Sequence, residues 1–214
     1  MEGSAKSFWY YFFGTVFFPH QAFRKLTEQP RSLAKGLKSV LLIGLLYTLT
    51  VAGFAVSGAV PMIPSWIPIP SQNFYFWEIF FVLPTLLLAW ILSAATSHLL
   101  GHSHRADARP GFANNLAAAG FAITLPLFII WVPVTAAAVL MLLGMSQVEL
   151  VDTLSTPEFW QSFALFCPIL AVFWMFLLFA TAASAVQKAR FLKALLFSLV
   201  TVAIFVAVVV AVIR

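Results

Sequence analysis

The sequence predicts an all-α integral membrane protein: five transmembrane helices preceded by an N-terminal interfacial amphipathic helix, with the N-terminus inside and the C-terminus outside. Three observations carry this. Only 9% of the residues are charged while 62% are hydrophobic, against roughly 25% charged in a soluble domain. The apolar residues gather into five blocks of spanning length. The basic residues fall in alternate connections between those blocks.

In chain order, residues 1–36 read as a cytoplasmic interfacial segment and residues 37–214 as the membrane domain. The stretch FWYYFFGTVFF is too short to cross a bilayer and too aromatic to sit in water. No small-residue cleavage pattern follows it, so the chain reads as mature from Met1. Pro19 then opens HQAFRKL as a short helix, because a proline in the first turn gives up a donor that has no acceptor anyway, and Pro30 closes it. On that helix Phe23 and Leu26 are expected to face lipid while Arg24 and Lys25 meet anionic headgroups.

The spans are expected at about 37–60, 76–99, 112–143, 159–186 and 192–213. Each is long enough for a hydrocarbon layer of about 30 Å, which takes about 20 helical residues. Pro126 and Pro133 interrupt the third, where each removes a backbone donor and obstructs the preceding turn, so a bend or a split-off interfacial turn is expected there. The first outer connection carries Pro61, Pro64, Pro68 and Pro70 and reads as a stiff lid along the outer interface. Trp66, Tyr75, Trp77 and Trp160 sit at span ends, where amphipathic rings suit the headgroup layer. Cys167, the single cysteine, reads as a small core residue.

Orientation follows from charge. Lys6, Arg24, Lys25, Arg31, Lys35 and Lys38 precede or open the first span, Arg105 and Arg109 lie between the second and third, and Lys188, Arg190 and Lys193 between the fourth and fifth. Only Arg214, of the 12 basic residues, falls on the other side. Basic segments resist translocation, so the rich side is cytoplasmic. The net charge of +5 is thus a topology signal, and no aromatic-basic module for nucleic acid accompanies it.

Candidate chemistry is sparse. His98, His102 and His104 with Asp107 nearby could supply metal ligands if the second helix ran on past Leu99, since His98 and His102 would then share one face. Gly101 is expected to end the helix between them, leaving a polar turn that needs no metal. Glu78 is the one acid close to a span interior, a costly position and hence a candidate polar intramembrane site; it is shallow enough to reach interfacial water or an outer-loop partner. Asn114 and Asn115 open the third span and could line a polar vestibule or bond between helices. The pairs Gly53 and Ser57, Ser93 and Ser97, and Ala180 and Ser184 permit close helix approach. No nucleophile motif, phosphate-binding glycine loop or carboxylate pair is present, so neither an enzyme nor a cofactor is expected.

The segment FFPHQAFRKLTEQP, with the basic stretch after it, and the later HLLGHSHRADARPGFANNLAAAGFAITLPLF resemble the YIP (Ypt-interacting protein) domain family of five-span membrane proteins. The second carries a turn glycine, Gly101, and a Gly-aromatic-Ala step, Gly120, Phe121 and Ala122, leading to Pro126. The resemblance covers nearly the whole length. His102 stands where members commonly have a second glycine, and the long polar N-terminal tail of eukaryotic members has no counterpart. The resemblance implies a compact prokaryotic-type member of the cytoplasmic membrane, a non-enzymatic interaction or organisation protein; the residues themselves point to a membrane or partner surface at Phe23, Arg24, Lys25, Leu26, Gly101, Arg105 and Arg109. The protein partner is unknown. The alternative is a small transporter or channel subunit with Glu78 in its outer pathway.

Overall fold

A computed structural model describes residues 7–61, 69–102, 111–155 and 158–213. These form α1 (Phe8–Phe17), α2 (Pro19–Thr27), α3 (Ser32–Val56), a 3-10 turn (Ser71–Asn73), α4 (Phe74–His102), α5 (Phe112–Leu142), α6 (Gln147–Ser155), α7 (Glu158–Gln187) and α8 (Phe191–Val212). The helices α3, α4, α5, α7 and α8 are long and apolar enough to cross a membrane. The protein is therefore multi-pass by length and composition, and all-helical, with no strand among the described residues.

Three boundaries differ from expectation. The first span helix starts at Ser32, so the last residues of the supposed interfacial segment belong to the bundle. The second helix runs through Gly101 to His102 and does not stop at the glycine. Pro126 and Pro133 both lie inside one continuous α5, with no interfacial turn split off; neighbouring helices can accommodate a proline in a span. Most of the proline-rich lid, residues 62–68 with Pro64, Trp66 and Pro68, lies outside the described residues.

The bundle is organised around α5, which packs on α3, α4 and α7, while α8 closes the gap between α4 and α7. The pair α3 and α5 runs parallel in contact along its length. From one end to the other, the Ser32 hydroxyl donates to Asn114 Oδ1 at 3.3 Å, the Tyr47 hydroxyl donates to the Leu127 carbonyl at 3.5 Å, and the hydroxyls of Thr50 and Thr135 lie 2.7 Å apart. Trp131 Nε1 also donates to Thr50 Oγ1, at 3.1 Å. Near Ser32 the two backbones touch. A Cβ on Gly36 would lie 2.6 Å from Ala117 Cα, and one on Gly120 would lie 2.5 Å from the Gly36 carbonyl oxygen, so only glycine fits at either position. Antiparallel to α3 lies α4, with Leu83 against Gly44 near mid-helix and Tyr75 stacked on Phe54 at 5.2 Å. Of the small-residue pairs expected to mediate packing, Gly53 meets Ala138 and Leu142 at ordinary contact distance; the true backbone contact is the one at Gly36.

The connection before α6 opens on a capping box. The Glu149 carboxylate accepts from the Ser146 backbone N–H at 2.8 Å and from its hydroxyl at 2.9 Å, while Glu149 N–H donates back to Ser146 Oγ at 3.2 Å, satisfying donors that a helix start leaves open. Those bonds hold the Glu149 carboxyl below its ordinary range. Next to it, the Gln147 amide grips both backbone groups of Val60, accepting at 2.9 Å and donating at 2.6 Å. Cys167 is buried, as a small core residue.

The N-terminal segment is where structure corrects sequence most. The expectation that Phe23 and Leu26 face lipid is wrong: both are at most 1% exposed, because α2 lays its apolar face on α7 and α5. An amphipathic helix needs an apolar surface to cover, and a protein surface serves as well as acyl chains. Its neighbour α1 packs Phe8 tilted against Phe121 and Phe12 edge-on to Phe128, with ring centroids 5.6 and 5.8 Å apart. Tyr11 is fully buried, with the Lys35 ammonium 4.6 Å from its ring centroid, a cation–π contact tying the hairpin to α3. Burial, followed by the nearby Tyr10 and Glu28, pushes the Tyr11 hydroxyl above its ordinary range.

Candidate functional site

Helix polarity gathers the polar residues at one end. The N-termini of α3, α5 and α8 and the C-termini of α4 and α7 meet there, and with them Arg31, Lys35, Lys38, Lys188, Arg190 and Lys193. Arg24 and Lys25 sit on the docked α2. Arg24 is exposed, and Lys25, half-buried, donates to the Tyr10 hydroxyl at 3.4 Å.

The centre of this end is a polar cluster joining three spans. Gln187, the last residue of α7, directs Nε2 at Asn115 Oδ1 (2.7 Å), the Ser97 carbonyl (2.8 Å) and Ser97 Oγ (3.0 Å). Since Asn115 Oδ1 accepts from Gln187, its Nδ2 must be the donor to His98 Nδ1, 3.1 Å away. The His98 ring also packs edge-on to Phe112 at 5.5 Å. Gly101 supplies room: a Cβ there would overlap the Gln187 side-chain amide. Two turns back along α4, Trp90 Nε1 donates to the Leu116 carbonyl at 2.8 Å.

Continuation of α4 to His102 does put His98 and His102 four residues apart on one helix, contrary to the expected stop at Gly101. The other proposed ligands, His104 and Asp107, and the expected surface residues Arg105 and Arg109 lie outside the described residues. Among the described residues no group of three candidate ligands converges. Asn114 and Asn115 both bond between helices, to α3 and to α4 and α7. Glu78, expected to reach interfacial water or an outer-loop partner, is 2% exposed and enclosed by protein.

Sequence reasoning missed Gln187, Gly36 and Trp90. A glutamine closing an apolar span beside Lys188 reads as solvated; only the approach of α4 and α5 turns it inward. The turn that follows it is unusual. Lys188 adopts φ 53°, a conformation that favours glycine, while Ala189 N–H reaches back to the Ala183 carbonyl at 3.3 Å and α8 opens at once.

The class this geometry defines is a multi-pass helical membrane protein with a basic, hydrogen-bonded end. No family model, curated protein or solved structure matches the chain.

Proposed function

We propose that the chain is a non-enzymatic interaction or organisation protein of the YIP-domain type, in a prokaryotic cytoplasmic membrane, working at its basic end on the cytoplasmic side. One observation carries the reading: α2 buries Phe23 and Leu26 in the bundle while leaving Arg24 exposed. The charged face is thereby a fixed feature of the membrane domain, presented at the level of the headgroups, where each basic residue adds on the order of 1 kcal/mol of attraction to an anionic surface. The order of elements, an entry helix pair followed by five spans, supports the family reading.

The test is co-purification followed by reconstitution with the identified protein. Arg24→Glu/Lys25→Glu should abolish capture of that partner without lowering the thermal midpoint; undiminished capture overturns the reading. A reporter fused after Arg214 should be external, and a cytoplasmic signal there overturns the orientation.

A second reading rests on Glu78, a carboxyl enclosed by protein within α4. Buried ionisable groups in spans mark solute or ion paths. If the chain is a small transporter or channel subunit, solute flux into liposomes should be lost in Glu78→Gln; equal flux in the variant removes that reading.

A further inference from the structure

A cavity of about 340 Å³ opens at the basic end between the C-terminus of α4 and the turn that joins α7 to α8, with Gly101 and Gln187 at its inner wall, Lys188, Arg190 and Lys193 around it and Phe197 on its apolar side. We propose that it binds the phosphate-bearing headgroup of an anionic phospholipid, whose acyl part runs down α8 past Phe197. The site is distinct from Arg24 and Lys25 and does not depend on them.

Four features of this chain converge there. The first is charge: Lys188, Arg190 and Lys193 border the concavity, Lys188 from an αL turn. Secondly, α8 begins here. Its first backbone bond runs from Ala194 N–H to the Arg190 carbonyl, and its N-cap, Arg190, makes no side-chain cap. The amides of Phe191 and Leu192 therefore have no acceptor in the helix, and the positive end of a 22-residue helix points the same way as the side-chain cations. Thirdly, Gly101 has no side chain, and α4 can press against Gln187 and close the inner wall.

The fourth feature selects a lipid over free phosphate. Phe197 lies one helical turn beyond Lys193 and continues into a run of exposed apolar residues on α8, Leu192, Leu196, Leu199 and Val200. A cationic mouth that grades over one turn into a lipid-facing apolar wall matches a molecule with a phosphate at one end and a hydrocarbon at the other. Free phosphate would use only the mouth.

The full chain, purified in a neutral detergent, is titrated with phosphatidylglycerol or phosphatidylcholine and bound lipid is counted by native mass spectrometry. Phosphatidylglycerol should bind at about tenfold lower concentration, the scale expected when a few cations each add a modest attraction. Lys188→Gln/Arg190→Gln/Lys193→Gln should remove most of that preference. Should the triple variant fold poorly, Lys188→Gly/Arg190→Gln serves instead, because glycine is at ease at the αL position; it should lose most of the preference. Equal binding of the two lipids by the native chain overturns the proposal. So does a preference that survives both cavity variants, and so does displacement of the lipid by an equal concentration of inorganic phosphate, which would assign the site to the free anion.

Discussion

Residues 115–127 of α5 are all buried, whereas beyond them in the same helix only Ala138 and Met141 are. Hydropathy does not separate these halves, for both are strongly apolar. Nor does side-chain size alone: Ala117, Ala118, Ala119 and Gly120 in the first half are matched by Ala136, Ala137 and Ala138 in the second, and Ala136 is exposed. What differs is the company. At the basic end the α3 backbone touches α5 at Gly36, whereas Gly53 keeps ordinary contact distance at the other end, and the α1–α2 hairpin adds a further layer at the basic end. Small residues permit burial, and a partner that comes close enough must complete it.

The largest effect expected from this contrast is at the glycine crossing. Gly120→Val should drive a methyl-bearing carbon into the Gly36 backbone and destabilise the protein by about 3 kcal/mol or more, while Ala136→Val in the exposed half should shift stability by less than about 0.5 kcal/mol. Thermal unfolding of the purified variants checks both, and similar midpoints would erase the distinction between the halves. Next comes the hairpin. Phe23→Ala should cost about 3 kcal/mol, the usual range for emptying a buried phenylalanine site; Phe17→Ala, at a residue 69% exposed, should cost little. Equal small losses would return α2 to a helix that merely lies in lipid.

Polar bonds sharpen the same comparison at smaller scale. Gln187→Leu removes a donor shared among Ser97 and Asn115 and should lower stability by about 1 kcal/mol, while Thr135→Val, which removes a single interhelical partner of Thr50, should cost about half as much. The smallest effect belongs to α6. The Glu149 carboxyl titrates below its unfolded value because Ser146 donates to it, so its contribution is present above the unfolded carboxylate pKa and is lost as pH falls through the depressed folded value. Protection of the α6 amides, relative to their intrinsic exchange rate at each pH, should fall over that acidic window in the native chain, and Glu149→Gln should flatten the dependence.

The spans were legible because crossing a hydrocarbon layer imposes a length that 20 or so apolar residues announce on their own. Their lateral arrangement was not. In a bilayer, lipid and protein are equally apolar neighbours, and nothing in the residue types of Phe23 or Leu26 says which one they meet. The two-faced character of α2 was readable while the identity of its partner was not. The capping box at Ser146 and Glu149 could have been read from its spacing alone. Gln187 could not, because its meaning depends on α4 and α5, roughly 90 and 72 residues away in sequence.

The parallel pairing of α3 with α5 has a consequence for how the protein is made. Gly36 cannot meet Gly120 until the chain between them has been synthesised and has crossed the membrane back and forth; at about 5–20 residues per second that delay is several seconds. Throughout it, the emerging first span carries a bare glycine notch with no mate, and α1 and α2 have neither α5 nor α7 to rest on. The α1–α2 hairpin, made before the spans it rests on, is thus among the last parts to reach its final place.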